Sequence, residues 1–112
     1  MGAFPSKNWV TLVILRVISE TPMHGYKLLE TLNESGYLVE DKIETGTLYT
    51  TLRRLEKKGL LASNWENPPN EKRRRVYTIT ETGTSYLKEL IISIMQRKSL
   101  IDDMIKYYTE TY

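Results

Sequence analysis

The rest of this chain is arranged around residues 44–61, Glu44-Thr45-Gly46-Thr47-Leu48-Tyr49-Thr50-Thr51-Leu52-Arg53-Arg54-Leu55-Glu56-Lys57-Lys58-Gly59-Leu60-Leu61. Leu48, Leu52 and Leu55 recur at i, i+4 and i+7, the spacing that gathers side chains on one side of an α-helix. At about 100° per residue, Gly46, Thr50, Arg53 and Lys57 fall opposite that stripe, with Thr47 and Arg54 beside them. The outward face is therefore small and hydroxyl-bearing early and cationic late. Thr45 is the expected N-cap, since its hydroxyl can accept from the orphan amides of the first turn. Gly59 is the expected stop, since it tolerates the left-handed conformation. A helix over residues 45–59 with small residues at its start can approach another surface closely, and that is the shape of a helix that enters the DNA major groove. The competing reading is plain: outer-face cations on most amphipathic helices are simply solvated. The flanking sequence has to separate the two.

On the N-terminal side, residues 1–7 read as a short arm containing Pro5. Trp9, Val10, Leu12, Val13, Ile14, Leu15, Val17 and Ile18 then predict a helix that is apolar nearly all round, which has to be buried on most sides. In so short a chain part of that burial is expected from a second subunit, with Trp9 at the core or the interface. Thr21-Pro22 ends this helix, because the residue before proline avoids the helical region. A second helix is expected from Met23 or His24 to Ser35, with Gly25, Leu28, Leu29 and Leu32 inward and Gly36 closing it. His24, the sole histidine, has no cysteine, histidine or carboxylate cluster around it in the sequence, so a structural role at the helix start outweighs a ligand or acid–base role. In the connection, Val39 and Ile43 are expected to point inward. Glu40, Asp41 and Glu44 put negative charge near the proposed DNA face, which counts mildly against it.

On the C-terminal side the period changes. Leu61 to Glu66 reads as a strand, Asn67-Pro68-Pro69-Asn70 as a turn, and Val76 to Thr80 as a β-branched and aromatic strand. Between turn and strand stand four adjacent cations, Lys72-Arg73-Arg74-Arg75. They repel one another, and a phosphate backbone or narrow minor groove relieves that repulsion. The alternative is a charged edge that discourages aggregation; the hairpin's position directly after the candidate recognition helix favours phosphate contact. From Thr80 to about Tyr108, Leu87, Leu90, Ile91, Ile94, Ile101, Met104, Ile105 and Tyr108 repeat at spacings of three and four, interrupted by Arg97 and Lys98. About 28 residues at 1.5 Å each make roughly 40 Å of helix, more than a small three-helix domain can cover. A second copy of the chain is the simplest partner for the surplus stripe, against the alternative of a helix kinked back onto its own domain.

Size and composition bound the function. The chain has 112 residues, enough for one small domain. With 40% hydrophobic and 27% charged residues it is globular rather than disordered. The net charge is only +2 and the pI near 8.8, so a nucleic-acid partner has to be argued from clustering. With no cysteine, disulfides, thiolate chemistry and cysteine zinc sites are excluded. No apolar run reaches a membrane span. The apolar segment after Lys7 lacks a signal-peptide cleavage pattern and reads as structure. No nucleophile–base pair, metal cluster or phosphate loop marks an enzyme, and no cofactor is implied. Asp102 and Asp103 are adjacent on a helix and point different ways.

The element order is helix, helix, helix, strand, basic turn, strand, long helix: a mainly α fold with a small β-hairpin, α+β in class. It reads as a winged helix-turn-helix over residues 1–80 followed by a C-terminal dimerisation helix over 81–112. Three segments carry a resemblance to a known family. They are Thr21-Pro22-Met23-His24-Gly25-Tyr26; Gly46-Thr47-Leu48-Tyr49 with Leu52-Arg53-Arg54-Leu55-Glu56-Lys57-Lys58-Gly59-Leu60; and Arg74-Arg75-Val76-Tyr77-Thr78-Ile79-Thr80-Glu81-Thr82-Gly83. Across residues 9–85 their order and spacing resemble the PadR family of transcriptional regulators, in its compact subgroup with one long C-terminal helix. The resemblance implies a cytoplasmic homodimeric repressor that binds a pseudo-palindromic DNA operator and is released by an effector. Members of that subgroup that bind flat aromatic drugs carry a tryptophan on the last helix; here an ungapped match places Ile94 there. Glu44-Thr45 also stands where the family often has Ser-Pro.

The residues expected at the DNA are Thr45, Thr47, Tyr49, Thr50, Arg53 and Arg54 on the helix, and Lys72, Arg73, Arg74 and Arg75 in the wing spanning 67–75. Arginine can read guanine, and threonine can meet a thymine methyl or a phosphate; Tyr49, on the helix flank, suits a phosphate. Dimerisation is expected through Trp9, Leu87, Leu90, Ile91, Ile94, Ile101, Met104, Ile105 and Tyr108. Trp9, Tyr86, Met95, Met104, Tyr107 and Tyr108 are candidates to line a pocket for a small aromatic effector at the interface, with plain packing as the simpler reading. A rival function is protein docking without DNA, since winged helices also do that.

Overall fold

The computed structural model describes residues 7–38 and 42–112. The arm before Lys7 and the expectations for Val39, Glu40 and Asp41 lie outside the described residues. The helix α1 (Lys7–Glu20) is followed by a short strand β1 (Met23–His24), α2 (Gly25–Glu34), α3 (Thr45–Lys57), the hairpin strands β2 (Leu61–Glu66) and β3 (Arg74–Ile79), and α4 (Glu81–Thr111). The helices fall where the periodicities put them.

The helix α1 is the centre of the core. Leu12, Val13, Ile14, Leu15, Val17 and Ile18 are all buried, and Thr11 is buried with them. The all-round apolar pattern is thus satisfied largely within one chain, by α2, β3 and α4 around it, rather than by a second subunit. Trp9 is half-buried at its start; its indole N–H donates to the Tyr37 carbonyl at 2.8 Å.

The lead-in to α2 forms no free turn. Met23 and His24 pair antiparallel with Tyr77 and Val76, so the expected two-stranded hairpin is a three-stranded sheet in the order β1-β3-β2. His24 caps α2, its Nδ1 accepting from the Lys27 amide at 3.2 Å, which is the structural role its isolation predicts. Gly36 follows the helix at φ +83°, as expected of a terminating glycine. Asn33 then holds the turn: its side chain accepts from the Ile43 amide (2.9 Å) and donates to the Ile43 carbonyl (3.3 Å). Both backbone groups of one loop residue are satisfied, which fixes where α3 begins.

The N-cap of α3 is Glu44, with no side-chain cap bond, and not Thr45. Thr45 occupies the first helical position, where its hydroxyl cannot take the capping geometry. The C-terminus follows expectation. Leu60 N–H donates to Leu55 O and Gly59 N–H to Glu56 O, both at 3.0 Å, with Gly59 at φ +79°. This is the paired bonding of a Schellman ending, and it needs the left-handed residue. Leu48, Leu52 and Leu55 are buried, so the stripe faces the core as predicted.

In the hairpin, Leu61 pairs with Ile79 and Glu66 with Arg74; β3 starts two residues before the predicted Val76. Thr80 then caps α4 by accepting from the Gly83 amide at 2.9 Å, while its hydroxyl donates to the Gly59 carbonyl at 2.6 Å. One threonine therefore ties the start of the last helix to the end of α3. Gly83 sits so close to this junction that a Cβ would overlap the Leu60 carbonyl oxygen.

The helix α4 is continuous for 31 residues, about 46 Å at 1.5 Å per residue. It does not fold back onto the globular body. Leu87 is buried near its start, whereas all residues from 91 onward are exposed. The radius of gyration is 16.8 Å and the molecule measures 63 × 28 × 21 Å. A compact chain of this length would have a radius of about 13 Å; the projecting α4 makes the difference.

Candidate nucleic-acid interface

The outward face of α3 is as the period predicts. Gly46, Thr47, Thr50, Arg53 and Lys57 are exposed, Thr45 is exposed at the start, and Arg54 is half-buried. Thr51 turns inward and satisfies its hydroxyl on the Thr47 carbonyl at 2.8 Å. The Arg53 guanidinium reaches back to the Thr50 hydroxyl at 3.4 Å, so these two side chains form one small polar surface. Tyr49 is half-buried and lies against Gly25; a Cβ at that glycine would overlap the tyrosine ring. Its ring sets the spacing of α2 and α3, which the sequence did not reveal.

The wing brings its cations beside α3. A concavity of about 390 Å³ is lined by His24, Gly25, Tyr26, Tyr49, Arg53, Trp65, Arg73, Arg74, Arg75 and Tyr77. The helix α3, the start of α2 and the wing thus share one surface, with four arginines and five aromatic or imidazole rings around it. Lys72 is exposed at the wing.

Three of the four adjacent cations are engaged by neighbouring side chains. The Arg73 guanidinium lies over the Trp65 ring, 4.4 Å from its centroid, and that of Arg75 lies 5.5 Å away. Exposed contacts of this kind contribute about 0.5–1 kcal/mol each. Arg74 lies between Glu66 (3.6 Å) and Glu71 (3.7 Å). Arg75 donates from Nε to the Ser63 hydroxyl at 2.7 Å and sits 3.7 Å from Glu56. Sequence reading missed Trp65, Ser63, Glu56, Glu66 and Glu71 as wing residues. Their signal was available only once the strand register was known, since it places Trp65 opposite Arg75 and Glu66 opposite Arg74.

Tyr77, below this surface on β3, is buried. Burial pushes its phenol above the ordinary value near 10, and the neighbouring Arg75 pulls it partly back.

The residues expected at a subunit interface form a separate surface. Ile91, Ile94, Ile101, Met104, Ile105 and Tyr108 are exposed along α4, Leu90 is half-buried against the core, and Leu87 belongs to the core itself. Of the candidate effector residues, Met104 and Tyr108 share a groove, of about 350 Å³, with Arg97, Leu100, Ile101 and Ile105. Trp9 and Tyr86 sit on the globular body. Among the described residues no group of three or more histidines or carboxylates could hold a metal ion. Among the described residues no helix is long and apolar enough to cross a membrane.

Comparison with known proteins agrees with this architecture. Among solved structures, the chain is similar to a conserved protein described as a potential transcriptional factor, at a TM-score of 0.80 and 31% identity, covering 91% of this chain and 89% of that one. It is also similar to a PadR-like transcriptional regulator from Bacillus cereus, at a TM-score of 0.76 and 25% identity, covering 88% and 93%. In sequence it is 39% identical over 80 residues to transcriptional regulator Rv3488 of Mycobacterium tuberculosis, covering 71% of this chain and 70% of that protein. The model of the transcriptional regulator PadR-like family matches residues 14–89, which run from the middle of α1 through the wing into α4. With fold, motifs and family match in agreement, the chain belongs to the PadR-like family of transcriptional regulators.

Proposed function

We propose that this chain is a homodimeric repressor that binds a pseudo-palindromic DNA operator, α3 entering the major groove and the wing gripping the flanking backbone. The observation that carries this reading is the single concave surface on which Arg53 of α3 meets Arg73, Arg74 and Arg75 of the wing. Thr45, Thr47, Thr50, Arg53 and Arg54 approach base edges and nearby phosphates, because a helix with small residues at its start can seat deeply in the groove. Lys72 and Arg73 meet phosphates from the wing. Tyr49 adds its hydroxyl at the edge of the same surface. Residues 1–80 form the DNA-binding unit and 81–112 the dimerising helix, and the protein works in the cytoplasm.

The partner for α4 is a second copy. Its exposed stripe of Ile91, Ile94, Ile101, Met104, Ile105 and Tyr108 leaves the globular body, and a symmetric pairing covers such a stripe with itself. Dimerisation would set two α3 helices about 34 Å apart, one turn of DNA. The groove holding Met104 and Tyr108 is the starting point for an effector pocket completed by the second subunit, where a flat aromatic compound could release the operator.

The test is competition. Purified protein should hold duplex DNA from upstream of its own gene against an excess of random duplex. Arg53→Ala and Thr50→Val should change which operator variants win. Equal binding of all duplexes by wild type and variants would remove the base-reading role of α3. Failure to bind any duplex would favour the protein-docking alternative.

A further inference from the structure

Three side chains from three elements meet at the base of the wing. The Ser63 hydroxyl on β2 donates to a carboxylate oxygen of Glu56, in the last turns of α3, at 2.7 Å. The same hydroxyl accepts from Arg75 Nε on β3 at 2.7 Å. The Arg75 guanidinium lies 3.7 Å from the same Glu56 oxygen. The directions are consistent: Arg75 gives to Ser63, Ser63 gives to Glu56, and ionised groups stand at both ends. Such charge-assisted bonds are shorter and stronger than neutral ones.

This arrangement places unusual demands on a DNA-binding reading of each residue. A carboxylate on the flank of α3, half-buried beside the outward face, repels nearby phosphate unless its charge is engaged. Here it is engaged, by the wing. Arg75 in turn has its Nε committed to Ser63 and an Nη beside Glu56, so its fork faces the protein. Arg73, two residues earlier, lies over Trp65 without a carboxylate partner among the described residues. The backbone joins α3 to the wing only through Lys58, Gly59 and Leu60, with Gly59 in the left-handed region. Pairing with β1 and the buried Tyr77 anchor the inner end of the hairpin, and a lateral tie to α3 sets the distance of its outer part from that helix.

We propose that Arg75 is a positioning residue which, through Ser63 and Glu56, fixes the angle between wing and recognition helix, so that Lys72 and Arg73 meet the DNA backbone in register with α3. This rests on the DNA-binding reading above and assigns Arg75 a role other than phosphate contact.

Opposite signs separate the two roles. Binding of duplex DNA from upstream of the gene is followed across salt concentrations. If Arg75 positions the wing, Glu56→Gln, Ser63→Ala and Arg75→Lys each weaken binding by a similar factor, roughly threefold to tenfold for one lost hydrogen bond, with the salt slope unchanged. The double variant Glu56→Gln/Arg75→Lys is then no worse than either single one. If Arg75 touches phosphate, Glu56→Gln binds more tightly because a negative charge is gone, Arg75→Lys binds like wild type, and Arg75→Ala lowers the slope by about one. That second pattern overturns the proposal. A DNA-free arm stands beside it: in the free protein, Ser63→Ala and Glu56→Gln should speed amide exchange in residues 62–66 and 74–78 while α1 keeps its protection. Unchanged wing exchange would also overturn the tie, whereas a wild type that binds no duplex would sink the DNA reading and leave exchange to decide the tie alone.

Discussion

Gly83 and Tyr77 show how single residues fix the interface from below. At Gly83 the neighbouring atom is a backbone carbonyl of Leu60, which cannot rotate away. Gly83→Ala should therefore push α4 off the end of α3 and lower stability by roughly 1–3 kcal/mol, the usual effect of overpacking, measured by denaturant unfolding. Gly25→Ala meets the Tyr49 ring instead, a side chain that can swing, so its effect should fall on DNA binding more than on melting. Tyr77 makes a pH prediction. Its folded-state phenol is raised above 10 by burial, so its contribution is intact below 10 and is lost as pH rises through the higher folded value. Tyr77→Phe should flatten the alkaline loss of stability relative to wild type; equal slopes for the two proteins would contradict this. His24 and Gly59 were legible at this scale because caps and left-handed glycines are local. Thr45 was misplaced by one position because Ile43, pinned by Asn33, and not the local sequence, sets where α3 starts.

Among the elements, α3 and α4 were the most legible, since an apolar stripe at helical spacing is written in the residues themselves. The strand β1 was not: two residues carry no period, and only pairing with Tyr77 and Val76 makes them a strand. The wing was half legible. Its cations are consecutive in sequence, but their partners Glu56, Ser63, Trp65 and Glu66 come from elsewhere in the chain and depend on register. Hence the sequence suggests four equivalent phosphate ligands, where the structure distinguishes an arginine over tryptophan, one between two glutamates and one tied to α3. For binding, Arg73→Ala should reduce affinity for all duplexes alike and lower the salt slope by about one. For α4, replacing Ile101 and Ile105 with glutamate should raise the dimer dissociation constant at least about tenfold, by burying charge in the seam. Sedimentation would read it, and helicity by circular dichroism should stay close to wild type. A variant that stays dimeric would move the interface off this stripe.

For the whole molecule, shape and charge lead to the same division of labour. A globular body presents α3 and the wing on one surface, and α4 carries an apolar stripe away from it. Net charge of +2 gives little long-range attraction, so affinity has to come from cations placed together on that surface. Counting Arg53, Arg54, Lys72 and Arg73 as phosphate ligands in each protomer gives on the order of eight contacts per dimer, and a log–log salt slope of about −7. The most direct measurement is therefore a salt titration of the purified protein with its own upstream duplex, with the stoichiometry determined alongside. Two chains per duplex, preference over random DNA and a slope near −7 are expected. A single bound chain, or a slope near zero, would contradict the paired-helix grip on DNA.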